Sequence, residues 1–323
     1  MRIVTLLLVS TAAFAAPCLG QTCTGSGSAG ATQACNQMIE SSQILQARSG
    51  IALSGGNPVP GASSTLGMRI GSVPRVSVGL RATGVGVSTP ALDVTSNNAS
   101  GLAHSLNVDA SVGLFSGFVL APTIGGFGSF DVVASAGKLT LPSDIGLQAR
   151  SPGSWALGAR VGILRESFTA PGISVTALYR RVGDINGVKT VNTPAGAFMR
   201  TVSLSNNSDF SVRGVIGKRL FVVGANAGLG VDSYHSDVRA ASSSSGTPQG
   251  TVDGAATYTL NGYKQSRVTG FVNATWTMLI LNFVAEAGYQ RGGDAFTGSL
   301  GSTQSSKTQN AGYYGSLAVR LAL

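Results

Sequence analysis

The sequence predicts an all-β chain folded as an antiparallel, up-and-down barrel of about 12 strands. Three observations lead to this fold. Apolar and polar side chains alternate with a period of two over long segments, charged residues make up only 11% of the 323 residues, and short connections alternate with long ones. A soluble domain carries about 25% charged residues. Apolar side chains must therefore take the place of charge on the outer surface.

The N-terminus has the features of a secretory signal peptide. Arg2 precedes an uncharged apolar run over residues 3–16, and small residues then offer cleavage after Ala15 or after Gly20. Such a segment is too short for a membrane helix and directs export. We therefore divide the chain into a signal peptide over 1–20, an N-terminal periplasmic or plug segment over 21–45 and a barrel over 46–323.

Two of the three cysteines, Cys23 and Cys35, remain after cleavage at Gly20. In an oxidising compartment such a pair predicts a disulfide that closes a short loop, two free thiols being the alternative. Residues 35–45 suit a short amphipathic helix that would plug the lumen or sit at the periplasmic mouth. A zinc site needs four ligands, and the only histidines, His104 and His235, lie far from these cysteines. The sequence predicts neither a metal nor a cofactor.

The segment 102–114 shows the strand pattern. Leu106, Val108 and Ala110 share one parity, whereas Asn107 and Asp109 share the other. Such a strand has one apolar and one polar face, and no segment after the signal is long and apolar enough for a spanning helix. The same alternation predicts strands at 154–165, 220–234, 263–277, 280–291 and 310–323. Counting strands back from a C-terminus in the periplasm makes 197–217 one long strand as well. Strands near 46–54 and 64–72 complete an even set.

The predicted connections alternate in length. Short ones lie at 73–74, 116–121, 166–171, 218–219 and 277–279, and long polar ones at 88–100, 138–153, 183–196, 235–262 and 292–309. Membrane barrels have short turns on the periplasmic side and long loops outside the cell. Aromatic rings near the strand ends predict a girdle at each membrane interface. The outer one comprises Trp155, Tyr179, Tyr289 and Tyr313, and the inner one Phe221, Trp276 and Phe283.

The signal peptide, the alternating strands and the closing sequence GYYGSLAVRLAL over 312–323 carry a family resemblance. Over 46–323 the chain resembles bacterial outer-membrane β-barrel proteins, porin-like members included. The resemblance implies a transmembrane barrel in the outer membrane of a Gram-negative-type envelope, in contact with lipid and inserted by the assembly machinery. Members commonly end on an aromatic residue that this machinery reads, whereas this chain ends on Leu323. A shared fold of this kind does not specify a function.

Charged residues collect on the parity that faces the lumen. Water or ionic partners solvate charges there, whereas on the lipid face they would be costly. An excess of arginine would favour the passage of small anions. Alternatively, arginine–carboxylate pairs fill a narrow barrel, and this second interpretation is favoured. The predicted lumen residues are Arg69, Arg75, Arg81, Asp109, Asp131, Arg160, Arg180, Arg213, Arg267, Glu286 and Arg320.

The candidate catalytic and nucleic-acid-binding patterns are weak. An outer-membrane phospholipase would place histidine and serine two positions apart on one strand face, but Ser105 directly follows His104 and Leu106 takes the required position. A barrel protease needs acidic pairs beside a histidine, and the sequence His-Ser-Asp at 235–237 is common by chance. We predict no enzymatic activity. Despite a net charge of +9, the basic residues are scattered, so the sequence predicts no nucleic-acid partner.

Three functions remain open. The first is passive transport, or a structural role at the cell surface. The second is adhesion or recognition through long Ser/Gly/Thr-rich loops such as 235–262. The third is a secreted soluble β-sandwich, whose apolar faces would form an internal core; the low content of charge argues against it.

Overall fold

A computed structural model describes residues 23, 29–68, 73–89, 99–121, 124–142, 151–193, 196–246, 254–292 and 311–322. Within these ranges the chain forms one helix, α1 (Ala29–Ser54), followed by strands only. The strands are β1 (Val76–Thr89), β2 (Ala99–Phe115), β3 (Phe130–Thr140), β4 (Gly153–Leu164), β5 (Gly172–Val182), β6 (Ile185–Thr193), β7 (Gly196–Leu220), β8 (Val223–Gly246), β9 (Gly254–Met278), β10 (Leu281–Gly292) and β11 (Ala311–Ala322).

Ten of the eleven strands close into a barrel. The sheet order is β5-β4-β3-β2-β1-β11-β10-β9-β8-β7-β6, and pairing of β5 with β7 closes the ring and leaves β6 outside it. All strand pairs are antiparallel. They include the pair formed by the first and the last strand of the chain, β1 and β11, in which Ser77 lies opposite Ala322. The prediction of about 12 antiparallel strands is therefore close, with ten in the ring and one beside it.

The side chains of the strands alternate between the outside and the inside of the barrel in the direction that the sequence predicted. On β1, Leu80 is 49% exposed on the outside while Arg81 is 2% exposed on the inside. The same alternation continues around the ring, with apolar side chains outward and polar ones inward. A soluble β-sandwich buries its apolar faces. The closed barrel with an apolar exterior contradicts that third alternative.

The two ends of the barrel differ. The start of β1, the end of β11 and the tight turns after β7 and β9 lie at one end, which we call the turn end. Phe221 and Leu279 occupy these two turns with φ of 54° and 55°. The opposite end, where β1 ends and β11 begins, we call the loop end. The predicted turn at 166–171 joins β4 to β5, whereas the turn predicted at 218–219 lies at 221–222.

Three predicted connections are wrong in extent. The region 183–196 is mostly β6, and the region 235–262 consists largely of the upper parts of β8 and β9. Its small inward residues, such as Val238, Ala240 and Ala256, are buried against the inner helix, so a run with the composition of a loop pairs as strand. The connection predicted at 116–121 extends to residue 129, with Phe118 bridged to Phe127.

The strands predicted at 46–54 and 64–72 are not strands. Residues 46–54 belong to α1, which begins before the predicted helix at 35–45 and continues beyond it. Residues 64–68 have no strand structure except an isolated bridge between Met68 and Pro74. The barrel strands already pair with one another, so a segment inside the barrel has no free strand edge to pair with. Such a segment can form a helix, because a helix satisfies the hydrogen bonds of its own backbone.

Several predictions lie beyond the described ranges. They comprise the signal peptide over 1–20, the lumen residue Arg69, and most of the loops predicted at 88–100, 138–153 and 292–309. Within the part of the chain that is described, no helix combines the length and the apolar character needed to cross a membrane.

Candidate functional site

The N-terminal part of the chain fills the interior of the barrel. We call residues 29–68, which comprise α1 and the chain that follows it, the interior segment. Every residue from 41 to 63 is buried, and α1 contacts β8, β1, β7, β9 and β2. Polar groups of this segment therefore hydrogen-bond the inner wall of the barrel and one another.

The upper part of the interior segment lies toward the loop end. The structure contains the predicted disulfide between Cys23 and Cys35, and Cys35 lies beside Ala240 in the upper part of β8. Near the middle of the helix, the Gln265 amide donates to the carbonyl oxygen of Gln43 at 3.0 Å. The N-terminal half of α1 is thus packed against β8 and β9 where these strands extend beyond their neighbours.

Two side chains of the wall cap the C-terminal end of α1. The Ser105 hydroxyl donates to the carbonyl oxygen of Ala52 at 2.6 Å. The Arg81 guanidinium donates to the carbonyl oxygens of Ser54 and Asn57 at 2.9 and 3.1 Å. The last carbonyls of a helix lack partners within the helix and carry partial negative charge. Arg81 on β1 therefore gives these carbonyl groups both a hydrogen-bond donor and a compensating positive charge.

A carboxylate and a second arginine bind the chain immediately after the helix. Glu286 on β10 accepts hydrogen bonds from the amides of Gly56 and Asn57 at 2.8 and 3.0 Å. Arg213 on β7 donates to the carbonyl oxygen of Gly56 at 3.2 Å. Any side chain at position 56 would collide with the Tyr314 hydroxyl. Glycine is required there because the wall approaches the backbone so closely.

The lower part of the interior segment is bound in the same manner. Arg160 on β4 donates to the carbonyl oxygen of Ala62 at 2.8 Å. Asp131 on β3 accepts from the amides of Leu66 and Gly67 at 2.8 and 3.3 Å. The order of these partners, from Ala240 near the loop end to Asp131 near the turn end, gives the interior segment one direction. It enters at the loop end and descends to the start of β1.

Charged wall residues also pair with each other. Arg81 and Asp109 form an ion pair at 3.1 Å, and Arg213 and Asp232 form another at 2.6 Å. Gln290 donates to Asp232 at 2.9 Å. A buried ion pair requires further hydrogen bonds to offset desolvation. Here the backbone of the interior segment supplies them to both arginines.

The structure places the predicted lumen residues as follows. Nine are buried on the inner side, namely Arg81, Asp109, Asp131, Arg160, Arg180, Arg213, Arg267, Glu286 and Arg320. Arg75 is exposed just before β1, where it donates to the carbonyl oxygen of Leu66 at 3.4 Å. Five of the nine hydrogen-bond the interior segment directly, and these contacts were not predicted from the sequence.

The prediction missed several buried polar side chains, among them Asp209, Gln290 and Tyr234. Asp209 shares the inward parity of Arg213 on β7 and lies opposite Arg180 in the β5–β7 register. Gln290 and Tyr234 hydrogen-bond each other at 2.8 Å. Parity alone could have identified Asp209. No local pattern distinguishes the inward Tyr234 from the aromatic residues that face outward.

The predicted aromatic residues lie on the outer surface, mostly in pairs. Trp155 and Tyr179 have ring centroids 6.3 Å apart, and Tyr289 and Tyr313 are 5.0 Å apart. Both pairs lie toward the loop end. A third pair, formed by Trp276 and Phe283 with centroids 5.6 Å apart, lies toward the turn end. Phe221 is 95% exposed in the turn after β7.

The two histidine patterns are dispersed. His104 is exposed on the outside of β2, while Ser105 points inward to Ala52. His235 and Asp237 take the outward parity of β8, whereas Ser236 is buried and accepts a hydrogen bond from Gln46 at 2.6 Å. Nucleophilic catalysis requires the base within hydrogen-bond reach of the nucleophile. The alternating directions of these side chains do not provide that arrangement.

No known protein family and no curated protein matches this chain. Among solved structures, it is similar to the translocator domain of the autotransporter NalP from Neisseria meningitidis, with 12% identity over 90% of this chain and 97% of that chain and a TM-score of 0.43. The toluene transporter TodX from Pseudomonas putida shares 9% identity over 84% of this chain and 96% of that chain, with a TM-score of 0.36. The outer-membrane protease OmpT from Escherichia coli shares 10% identity over 77% and 94%, respectively, with a TM-score of 0.28.

At these identities and scores the likenesses assign no activity. The structure itself has the features that allow strands to cross a membrane, since closure leaves no unpaired edge and the apolar side chains face outward. The chain thus resembles bacterial outer-membrane β-barrel proteins, and its closed barrel with an apolar exterior supports a location in the bacterial outer membrane.

Proposed function

We propose that this protein is a surface component of the outer membrane whose barrel anchors a recognition surface at the loop end and is closed to solutes at rest. The observation that carries the proposal is the direction of the interior segment, which enters at the loop end. With the short turns in the periplasm, as in outer-membrane barrels generally, the loop end is extracellular. The disulfide between Cys23 and Cys35, although buried, then lies at the extracellular end of the barrel.

The outer face supports an embedded barrel. On β8 the outward side chains are exposed and apolar from Val223 to Val231, a stretch of nine residues. This agrees with the 9–11 residues that a strand needs to cross a bilayer. Above this stretch the outward positions become polar, at His235, Asp237 and Arg239. The aromatic pairs near both ends of the barrel suit the two membrane interfaces.

The strands that continue above this stretch form the proposed recognition surface. β7, β8 and β9 have 25, 24 and 25 residues, whereas β10 and β11 have 12 each. The excess corresponds to a sheet that projects roughly 40 Å beyond the shorter strands. Its inner face is buried against the N-terminal half of α1, through Val202, Leu204 and Val238. Support by the helix makes the projecting sheet a defined surface for a partner.

In this proposal, the buried charged residues of the barrel wall hold the interior segment in place. Arg81, Arg160, Arg213, Asp131 and Glu286 fix the interior segment rather than attract solutes. A passive channel is the less favoured function, because every residue from 41 to 63 is buried within the lumen. Residues 1–20 direct export, and the outer-membrane assembly machinery inserts the chain.

Epitope accessibility tests the proposed orientation. One epitope is inserted after residue 28 and, in a second variant, between residues 168 and 169 in the turn after β4. On intact cells we expect antibody binding to the first variant only, and binding to both after permeabilisation. Binding to the second variant alone on intact cells would reverse the orientation and refute surface display.

Recording in planar bilayers tests closure separately. The refolded mature protein should show no steady conductance, because the interior segment fills the lumen. A stable open conductance in the wild-type protein would contradict the closed resting state and favour the channel. The epitope result would still decide which end of the barrel is extracellular.

A further inference from the structure

A polar cavity of about 420 Å³ opens at the turn end of the barrel. Three arginines from separate parts of the chain line it. Arg75 precedes β1, Arg219 lies near the end of β7, and Arg320 lies near the end of β11. Ser63 of the interior segment and Glu166 also line the cavity. The cavity therefore lies between the interior segment and the last barrel strand.

Arg320 has donors that the wall does not satisfy. The residue is only 3% exposed, and its Nε and Nη1 have no hydrogen-bond partner among the described residues. The hydroxyl of Ser63, itself 2% exposed, is likewise without a partner there. Leaving buried donors unsatisfied is costly, the more so for a charged group. An acceptor located between the two residues would remove that cost.

The charges around the cavity are unbalanced. The charged groups that act on Arg320 are Arg160 and Arg219, both of the same sign. Among the described residues that line the cavity, Glu166 is the sole carboxylate, and one of its oxygens accepts the backbone amide of Arg219. Three guanidinium groups thus face one carboxylate, which gives the wall an excess of two positive charges. The missing partner is anionic.

We infer that this cavity binds a small free oxyanion, of the phosphate, sulfate or carboxylate class, which enters from the turn end. The N–H groups of a guanidinium fork match two oxygens of such an anion. Arg320 supplies the buried donors, Ser63 adds a hydroxyl, and the exposed Arg75 and Arg219 supply attraction. The bound anion bridges the interior segment to β11. The site stands independently of the proposed surface function, because it uses none of the residues above the membrane.

Calorimetric titration of the refolded mature protein with inorganic phosphate tests the site. The detergent is uncharged and free of phosphate, so that no headgroup competes. We expect saturable binding to one site in the wild-type protein. Arg320→Gln should weaken binding by about tenfold or more, because charge-assisted hydrogen bonds are lost. Arg219→Gln should weaken it by about threefold, since this exposed arginine acts in a high dielectric.

The matched control is Arg181→Gln, which removes an exposed arginine at the loop end and should leave phosphate binding unchanged. Arg219→Gln also serves if Arg320→Gln does not fold, because Arg219 is exposed. Absence of saturable binding in the wild type would overturn the inference, and so would equal affinity in all the variants. Loss of phosphate binding on transfer to phosphatidylglycerol nanodiscs would assign the site to a lipid headgroup instead of a free anion.

Discussion

The carboxylate of Glu286 accepts a hydrogen bond from the backbone amide of Gly56 at 2.8 Å, across a sequence separation of 230 residues. The second carboxylate oxygen accepts the amide of Asn57 at 3.0 Å. The two hydrogen bonds bind consecutive backbone amides, and the close approach of Tyr314 restricts position 56 to glycine. The barrel therefore binds its interior segment as it would bind a ligand in one fixed register.

Replacement of Glu286 tests how much this contact contributes. Glu286→Gln keeps the size of the side chain but turns an NH2 group toward a backbone N–H. We expect the free energy of unfolding to fall by about 2–3 kcal/mol, because a charge-assisted hydrogen bond is lost and a donor is left buried. Urea unfolding in detergent micelles measures the change. Asp184→Asn, at an exposed site, should change it by less than about 0.5 kcal/mol, and an equal loss in both would contradict the prediction.

Arg81 and Asp109 should be energetically coupled. Arg81 links the end of α1 to Asp109, so Arg81→Met leaves a buried carboxylate unpaired and should cost about 3–5 kcal/mol. Adding Asp109→Asn should recover part of that loss, with a coupling energy of about 1–3 kcal/mol in a double-mutant cycle. Asp237→Asn, on the outside of β8, is the control partner. Additive effects for Arg81 and Asp109 would show that the pair does not act as a unit.

The strand pattern was predictable where one face meets the interior and the other faces outward. β7 was predicted as a single strand despite two asparagines, and it is one. A shift in register between Ser205 and Ser208 takes up the irregularity, with Asn206 at a φ of 52°. The odd or even position of a charged residue along its strand also predicted whether it points inward. A charged side chain on the apolar outer face would destabilise the barrel at any of these positions.

The region 46–54 shows why the site was less predictable. Leu45, Ala47, Ile51 and Leu53 share one parity as in a strand, although Ser49 and Ala52 interrupt the alternation, and they lie in α1. Every side chain of this stretch is buried, so the alternation does not separate an inner face from an outer one. The partners of the charged wall residues are backbone groups of the same segment. Backbone groups leave no signature in the sequence, so only the path of the chain reveals the contacts.

The disulfide between Cys23 and Cys35 should stabilise the upper part of α1 and not the barrel. It closes a sequence separation of 12 residues, for which the chain-entropy estimate is up to about 3 kcal/mol. In the variant Cys23→Ser/Cys35→Ser, we expect faster hydrogen exchange over residues 35–45 and unchanged exchange in β1. Reduction of the wild-type protein should give the same pattern. Faster exchange throughout the barrel would show that the disulfide has a global role.

The two tryptophans should report the two membrane interfaces. Trp155 lies toward the loop end and Trp276 toward the turn end, both exposed on the outer face. In lipid vesicles, brominated acyl chains should quench each one most strongly when the bromine is near the headgroups and less when it is at the bilayer centre. The variants Trp155→Phe and Trp276→Phe each leave one reporter. Absence of quenching in either variant would contradict a membrane-spanning band between the two residues.

Lowering the pH should break the hydrogen bonds by which Asp237 connects β7, β8 and β9 in the projecting sheet. Asp237 accepts hydrogen bonds from the Asn206 side chain at 2.6 Å and from the Gly262 amide at 2.7 Å. Both favour the ionised form and hold the pKa of Asp237 below its usual value of 3.8. A group with a depressed pKa stabilises the fold above its unfolded pKa, and this contribution is lost as the pH falls through the folded pKa. The link should therefore persist at about pH 4 and break below it.

The amide chemical shift of Gly262, followed by NMR in micelles, measures that transition. The midpoint in the wild-type protein should lie below 3.8, the usual pKa of the carboxyl. In Asn206→Ala the midpoint should rise toward that value, because the hydrogen bond that lowers the pKa of Asp237 most is removed. Asp184→Asn, which alters a carboxylate outside this link, should leave it unchanged. A wild-type midpoint at or above 3.8 would mean that the hydrogen bonds from Asn206 and Gly262 do not hold Asp237 ionised. Backbone pairing alone would then join β7, β8 and β9 at this point.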